Sequence, residues 1–261
     1  MSSVDFVTEL YVRVSDRVKG IPKHSQANLY PCEVVTLALL FSLKGVGNRC
    51  FYRWIKRDFQ GAFPHLPDRT RLFRLFNSHR YLAESFMADP TIMGVIDTYG
   101  IELIHPMREG RSQKQVGKKG ISNHRWIVGV KLCLILNKFG GVVRWGCGTA
   151  NVPDKSFNYL ISPFEKRMIV FSDTGFRDKN GLPENIKICK KGTWNSRMIV
   201  ETVLSMMTSV FHLKKVMHRQ WEYLQTRLAF TMATFNSLIH WDGLNPDPNG
   251  FFPISIARFS L

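Results

Sequence analysis

Lys166-Arg167-Met168-Ile169-Val170-Phe171-Ser172-Asp173 is the stretch on which the fold turns. Its middle is a continuous apolar run, without the alternation of a half-exposed strand, which predicts a central strand buried on both faces. An acidic residue follows directly. Upstream, Gly94-Val95-Ile96-Asp97-Thr98-Tyr99-Gly100 falls in a second predicted strand, residues 92–103, and carries an aspartate inside it. Residues 126–136 and 142–147, separated by Lys138-Phe139-Gly140-Gly141, predict a hairpin. A short helix is expected over 152–164, a turn-rich charged stretch over 175–192, and helices over 195–211 and 218–241. The last of these has Trp221, Leu224, Leu228, Phe235 and Leu238 at helical spacing. From residue 91 onward the pattern is therefore mixed α/β.

The first ninety residues read differently, as helices alone. Pro31 suits a first helical turn, Val34, Leu37, Ala38 and Phe41 follow at i, i+3, i+4 and i+7, and Gly45 ends the helix. Gly47-Asn48 opens a second helix with Phe51, Trp54 and Ile55 on one side. Asp68 caps a third that carries Leu72, Phe73 and Phe76. Short helices on tight connections with arginines outside are compatible with a helix-turn-helix DNA-binding unit.

The chain has 261 residues, 36 Lys+Arg against 20 Asp+Glu, and a net charge of +16. With 44% apolar residues it can bury a sizeable core, which excludes disorder as the main state. The longest apolar run, residues 34–43, is half of what a bilayer span needs, and the N-terminus lacks the pattern of a secretion signal, so an intracellular protein is expected. Such a surplus points to a polyanionic partner. Residues 1–90 hold 13 basic and 8 acidic groups, 91–150 hold 9 and 3, and 151–261 hold 14 and 9. A surplus spread along the chain favours nucleic acid over a membrane, whose anchors concentrate their charge. It is densest at residues 44–80, among Phe51, Tyr52, Trp54 and Phe73, and again at residues 108–131. Five cysteines at irregular spacing form no C-x-x-C pair, and the eight histidines form no zinc pattern.

The candidate chemistry lies in carboxylates. Asp97 and Asp173 sit in or after apolar strands, where a charge is costly unless it is paired or binds a metal. Glu201 lies on a helix among Ile199, Val200, Val203 and Leu204, with Arg197 one turn before it. If the three converge, they form an oxygen site suited to Mg2+ or Mn2+. The alternative is that the aspartates cap turns and Glu201 pairs with Arg197.

Four segments taken together resemble the DDE transposases of bacterial insertion sequences. They are Ile96-Asp97-Thr98, Gly148-Thr149-Ala150-Asn151-Val152-Pro153-Asp154, Phe171-Ser172-Asp173-Thr174-Gly175-Phe176 and Trp194-Asn195-Ser196-Arg197-Met198-Ile199-Val200-Glu201. The last matches the family's order of an aromatic, two residues, Arg, three residues and Glu. The resemblance runs from Asp97 to Trp241. It implies an α/β fold, an RNase H-like mixed β-sheet flanked by helices and preceded by an α-helical N-terminal domain. Residues 1–90 would be the DNA-binding region, 91–245 the catalytic domain and 246–261 a C-terminal tail.

It further implies that Asp97, Asp173 and Glu201 are the catalytic triad and hold two Mg2+ or Mn2+ ions. Arg197 would contact phosphates near the cut. Trp194 would stack on a displaced base, or else be a core aromatic. Arg108, Arg111, Lys114, Lys118 and Lys119 would hold phosphates close to the triad. One departure is that the family's basic residue seven positions after the glutamate is Thr208 here, with Lys214 and Lys215 nearby to take its place. The implied reaction is metal-dependent phosphodiester cleavage at insertion-sequence ends, followed by transfer of the freed 3′-OH into target DNA. The implied partners are double-stranded DNA, as terminal inverted repeats and as target, and a second copy of the chain at least during synapsis. No membrane is expected, and the implied place is the bacterial cytoplasm at the nucleoid. Two other readings stay open: an RNase H-like nuclease that cuts without joining, and a catalytically silent DNA-binding protein.

Overall fold

A computed structural model describes residues 2–122, 125–179, 181–189, 197–243, 256 and 259, with Arg197 and Met198 described in backbone only. The chain forms two units. One comprises the residues up to Phe86 together with Glu222–Ser237, and the other runs from Met87 to Trp221 and takes in the chain from Leu238. The expected tail, 246–261, lies outside the described residues except for the buried Ile256 and Phe259.

The first unit is helical, as the sequence predicts. It holds α1 (Ser3–Arg17), α2 (Pro31–Lys44), α3 (Asn48–Asp58) and α4 (Arg69–Ser78), followed by a 3-10 segment, Arg80–Phe86. Pro31 occupies the first turn of α2, and Gly45, at φ 64°, ends it in the left-handed conformation that glycine adopts without strain. The break between α2 and α3 is three residues long and turns the chain through 117°. Asp68 caps α4 by accepting from the Arg71 N–H at 3.0 Å. Phe41, Phe51, Phe73 and Phe76 meet edge-on or tilted with centroids 4.9–6.5 Å apart. Such aromatic pairs add about 0.5–1.5 kcal/mol each beyond burial.

The helix Trp221–Asp242 supplies Glu222–Ser237 to this unit rather than to the sheet. Its polar side chains explain the placement. Thr226 donates to Asn77 Oδ1 at 2.8 Å, Gln225 Oε1 accepts from Arg80 at 3.0 Å, and Asn236 Nδ2 donates to the Phe86 carbonyl at 2.9 Å. Sequence reading placed this helix in the 91–245 domain because it follows the strands in the chain. Its bonds and its ring contact of Phe230 with Phe76 belong to the helical unit.

The second unit is mixed α/β, a curled mixed sheet flanked by helices. Its strands among the described residues are β1 (Met93–Ile104), β2 (Lys118–Ser122), β3 (Arg125–Asn137), β4 (Val142–Thr149), β5 (Ile169–Ser172) and β6 (Ile186–Ile188), with α5 (Arg197–Ser209) after them. The sheet order is β2-β3-β1-β5-β6, and β4 also pairs with β3. β1, β3 and β4 pair antiparallel, whereas β5 runs parallel to β1 and β6 parallel to β5. The apolar run that predicts a central strand is β5, flanked on both sides.

Alternation along β1 sends Ile96 and Thr98 to one face and Asp97 and Tyr99 to the other. Ile96 joins Cys133, Ile135, Val170, Phe157, Leu160 and Phe176 in a buried cluster on the first face. The second face is met by α5, where the Tyr99 and Thr208 hydroxyls lie 2.8 Å apart. Where a helix is expected over 152–164, two 3-10 segments stand instead, Asp154–Leu160 and Ser162–Phe164. Pro163 lacks the N–H that a continuing α-helix would need there. β2 and β6 are additions: Lys-Lys-Gly-Ile-Ser and a three-residue strand within a charged turn-rich stretch carry almost no strand signal. No helix among the described residues is long and apolar enough to cross a membrane.

Candidate active site at the strand ends

The parallel ladder of β1 and β5 pairs Met93 with Ile169, Gly94 with Val170 and Val95 with Phe171. Asp97 and Asp173 each stand two residues beyond the last pair. The two aspartates that the sequence singles out therefore end up at matching positions on adjacent parallel strands. A parallel pair keeps its neighbours about 4.8 Å apart at the backbone.

Both carboxylates are half-buried and anchored by backbone amides. Asp97 Oδ1 accepts from the Thr98 N–H at 2.7 Å, and Asp173 Oδ1 accepts from the Gly175 N–H at 2.8 Å while capping the short turn Thr174–Phe176. Capping is thus part of what Asp173 does, as the alternative reading expects. Gly175 has no room for a side chain: a Cβ there would lie 2.7 Å from Asp154 Oδ2 and 3.0 Å from Asp173 Oδ1. Asp154 is consequently a neighbour of Asp173. Its other oxygen, Oδ1, receives the Lys131 ammonium at 2.8 Å and the Thr98 hydroxyl at 2.9 Å. In the sequence Asp154 stands out only as the end of the Gly148–Asp154 motif, and Lys131 only as one cation of the basic stretch 108–131. The signal available was an isolated lysine in the apolar strand Trp126-Ile127-Val128-Gly129-Val130-Lys131-Leu132.

Beneath these groups Cys133 is fully buried, which pushes its thiol well above the ordinary range, and the nearby Asp97 and Asp154 carboxylates push it the same way. It is an inert core residue. The other four cysteines are also free thiols.

Glu201 lies on α5 and is exposed. The helix packs on β1, and Thr208, two turns after Glu201, fixes it there through Tyr99. The position where a basic residue was expected is thus a hydrogen-bonded hydroxyl. Of the two lysines considered in its place, Lys215 is taken by Glu102 at 3.1 Å, in a segment that bridges to β1 at Glu102, and Lys214 is exposed. Trp194 lies outside the described residues, as does the side chain of Arg197. Arg108, Arg111, Lys114, Lys118 and Lys119 are all exposed, on the turn after β1 and on β2.

The donor chemistry fits a hard divalent cation, since the strand ends offer carboxylate oxygens held by amides. Among the described residues, no three His, Cys, Asp or Glu side chains are gathered closely enough to hold a metal ion. The structure brings Asp97, Asp173 and Asp154 together beside the β1–β5 ladder, and Glu201 is exposed on the same helical stripe as Thr208, which meets β1 at Tyr99. Compared with known proteins, the sequence matches no family model and no curated protein.

Proposed function

We propose that this chain is a DNA transposase of the DDE type, cleaving phosphodiester bonds at insertion-sequence ends and transferring the freed strand into target DNA. The observation that carries the reading is the register of Asp97, inside β1, and Asp173, just past β5, each two residues beyond the last pair of the parallel ladder. The sheet order supports an RNase H-like assignment: three antiparallel strands, β4-β3-β1, continue into the parallel strands β5 and β6.

The chain's residues divide the work. Asp97 and Asp173 present oriented carboxylate oxygens, and Glu201 adds a third from α5. A divalent cation bound there would stabilise charge on the attacking and leaving oxygens of the phosphodiester. The backbone amides of Thr98 and Gly175 hold the carboxylates in place before DNA arrives. The surplus of positive charge holds the phosphates. In the helical unit, α2 and α3 form two helices at 117° joined by three residues with a left-handed glycine, the geometry of a helix-turn-helix pair. Its α3 exposes Arg49, Arg53, Lys56 and Arg57 opposite the buried Phe51 and Ile55.

A catalytically silent DNA-binding protein is the second reading. It is favoured by Thr208 standing where the family carries a cation, and by the exposure of Glu201.

The test is a cleavage and joining assay on duplexes carrying the element's own ends, with Mg2+ or Mn2+. Nicked and joined strands are expected from the wild-type chain, and neither from Asp97→Asn, Asp173→Asn or Glu201→Gln. Unchanged cutting by those variants would sink the site. Cutting without joined products would make the chain a nuclease, and binding without cutting would establish the silent reading.

A further inference from the structure

The pairing of β1 with β3 ends at Ile104 and Val128, but β2 and β3 continue past it to Ser122 and Arg125. Residues 120–122 and 125–127 therefore pair only with each other, as a two-stranded ribbon beyond the edge of β1. Its inner side is closely packed. Ile127 is buried, a Cβ at Gly120 would run into the Ala150 carbonyl, and one at Gly100 would run into the Ser122 side chain.

The outer side is the reverse. Ile121 and Trp126 are cross-strand partners and so share a face, and Lys119 lies two residues before Ile121 on that same face. Ile121 is 55% exposed and Trp126 58%. An indole of that size left in water is unusual for a residue that buries well elsewhere. The Lys119 ammonium lies 5.3 Å above the Trp126 ring and also 3.9 Å from Glu109, which ties the turn after β1 to the ribbon. Residues 105–128 contain six Lys and Arg and one acidic residue, Glu109. Arg125 is committed to Glu102 at 3.3 Å, while Arg108, Arg111 and Lys114 are exposed on the turn that Glu109 ties to the ribbon, and Lys118 alternates to the other face of β2.

We infer that the outer face of the β2–β3 ribbon is a docking surface for duplex DNA. Lys119, Arg108 and Arg111 lie on phosphates, while Trp126 and Ile121 press against sugars and base edges in a groove. A two-stranded ribbon has the width to enter a major groove, and apolar side chains that touch the bases are a known means of holding or unstacking a duplex. The charge complementarity chooses DNA over a second copy of this chain, whose own surface carries the same positive surplus. The inference rests on the proposed function for the identity of the nucleic acid, but not on any catalytic step.

The experiment measures binding of the full chain to a labelled duplex of about 30 base pairs by fluorescence anisotropy, in EDTA and over a range of salt, so that no cutting takes place. Trp126→Ala is expected to weaken binding about tenfold. Arg108→Ala with Lys119→Ala is expected to lower the slope of log affinity against log salt by about 2. All of these side chains point into solvent, so the variants should fold, and circular dichroism would check it. Unchanged affinity and slope in both variants would overturn the assignment. So would a change in sedimentation with DNA binding intact, since the face would then join copies of the chain. Failure of the wild-type chain to cut in Mg2+ while the variants still lose DNA would refute the catalytic reading and leave this surface standing.

Discussion

Lys131 Nζ lies 2.8 Å from Asp154 Oδ1, and the same oxygen accepts the Thr98 hydroxyl at 2.9 Å. The lysine comes from β3, the threonine from β1 beside Asp97, and the aspartate from the turn beside Asp173. One carboxylate thus links β1 and β3 beside the candidate site. The pair is not deeply buried, with 13% and 25% of the side chains exposed, so its energy is well below that of a dry ion pair. Asp154→Ala leaves the ammonium and the hydroxyl without their acceptor and should cost about 1–3 kcal/mol. Asp154→Asn keeps an acceptor for Thr98 and should cost less. Urea unfolding of the two variants measures the difference: equal losses would mean that the acceptor kept by asparagine contributes nothing beyond the charge, and no loss in the asparagine variant would mean that the charge contributes nothing.

Tyr99 and Thr208 provide the second joint, on the opposite face of β1. Each side chain lies close in the chain to a proposed catalytic carboxylate: Tyr99 two residues after Asp97, and Thr208 two helical turns after Glu201. Tyr99→Phe and Thr208→Val should each cost about 1 kcal/mol, with a coupling of about 0.5–1.5 kcal/mol in the double-mutant cycle. Both variants should also slow DNA cleavage more than they weaken DNA binding, because the bond sets the helix that carries Glu201. Full additivity would show that the two hydroxyls act separately.

Gly120 and Gly129 permit the sheet to curl. A Cβ at either would run into main-chain atoms, the Ala150 carbonyl at Gly120 and the Ile101 carbonyl at Gly129, and backbone cannot yield as a flexible side chain can. Gly120→Ala should therefore open the ribbon and expose Ile127, with a loss of about 2 kcal/mol or more. Faster hydrogen exchange at residues 118–128, with the helical unit unchanged, is the expected signature.

How much of this was legible in the sequence follows from where each signal is local. The cap at Asp68 and the stop at Gly45 are encoded within a few residues and stand as expected; the apolar run Ile169-Val170-Phe171 forms a strand, but only Val170 in it is buried and Ile169 is exposed, so burial on both faces does not follow. Asp97 and Asp173 could be found because charge is costly in an apolar run. Their matching register depends on which strand lies beside which, and no local pattern encodes that. Lys118-Lys119-Gly120-Ile121-Ser122 becomes a strand only because β3 offers it an edge. The helix Trp221–Asp242 follows the strands in sequence, yet its Thr226 and Asn236 find their partners in Asn77 and Phe86, about 150 residues earlier.

Arg227 sits on that last helix, 7% exposed, with its guanidinium 5.7 Å from the Phe41 ring and donating to the Gly45 carbonyl at 3.4 Å. Its Nε has no partner. Burial pulls its pKa down to about 10, well below that of an exposed arginine. A cation whose folded pKa is below its unfolded value costs stability in full at every pH below about 10, and that cost fades only as pH rises from about 10 towards the pKa of an unfolded arginine. At neutral pH the penalty is constant and present in full. Arg227→Met, which removes the charge and keeps most of the bulk, should leave stability unchanged or raise it by about 1–3 kcal/mol, whereas Arg227→Ala should lower it through the cavity. Urea midpoints at pH 7 decide between them, and a large loss in the methionine variant would mean that the bond to Gly45 outweighs the burial of charge.

Arg49, Arg53 and Lys56 lie at i, i+4 and i+7 on α3, opposite the buried Phe51 and Ile55. Arg57, by contrast, is engaged with Asp58. This helix follows a 117° turn and exposes three cations along one stripe that have no ion pair among the described residues, which under the proposed function makes it the candidate recognition helix. The two roles open to each arginine give different outcomes. A phosphate contact, once removed, weakens binding to all sequences alike and lowers the salt slope by about 1. A base contact, once removed, costs about 1–3 kcal/mol on the element's own ends and little on unrelated DNA. Arg49→Ala and Arg53→Ala, measured on both duplexes at several salt concentrations, should show at least one loss confined to the element's ends. Uniform losses from both would reduce α3 to a backbone grip, and no loss from either would remove it from the interface.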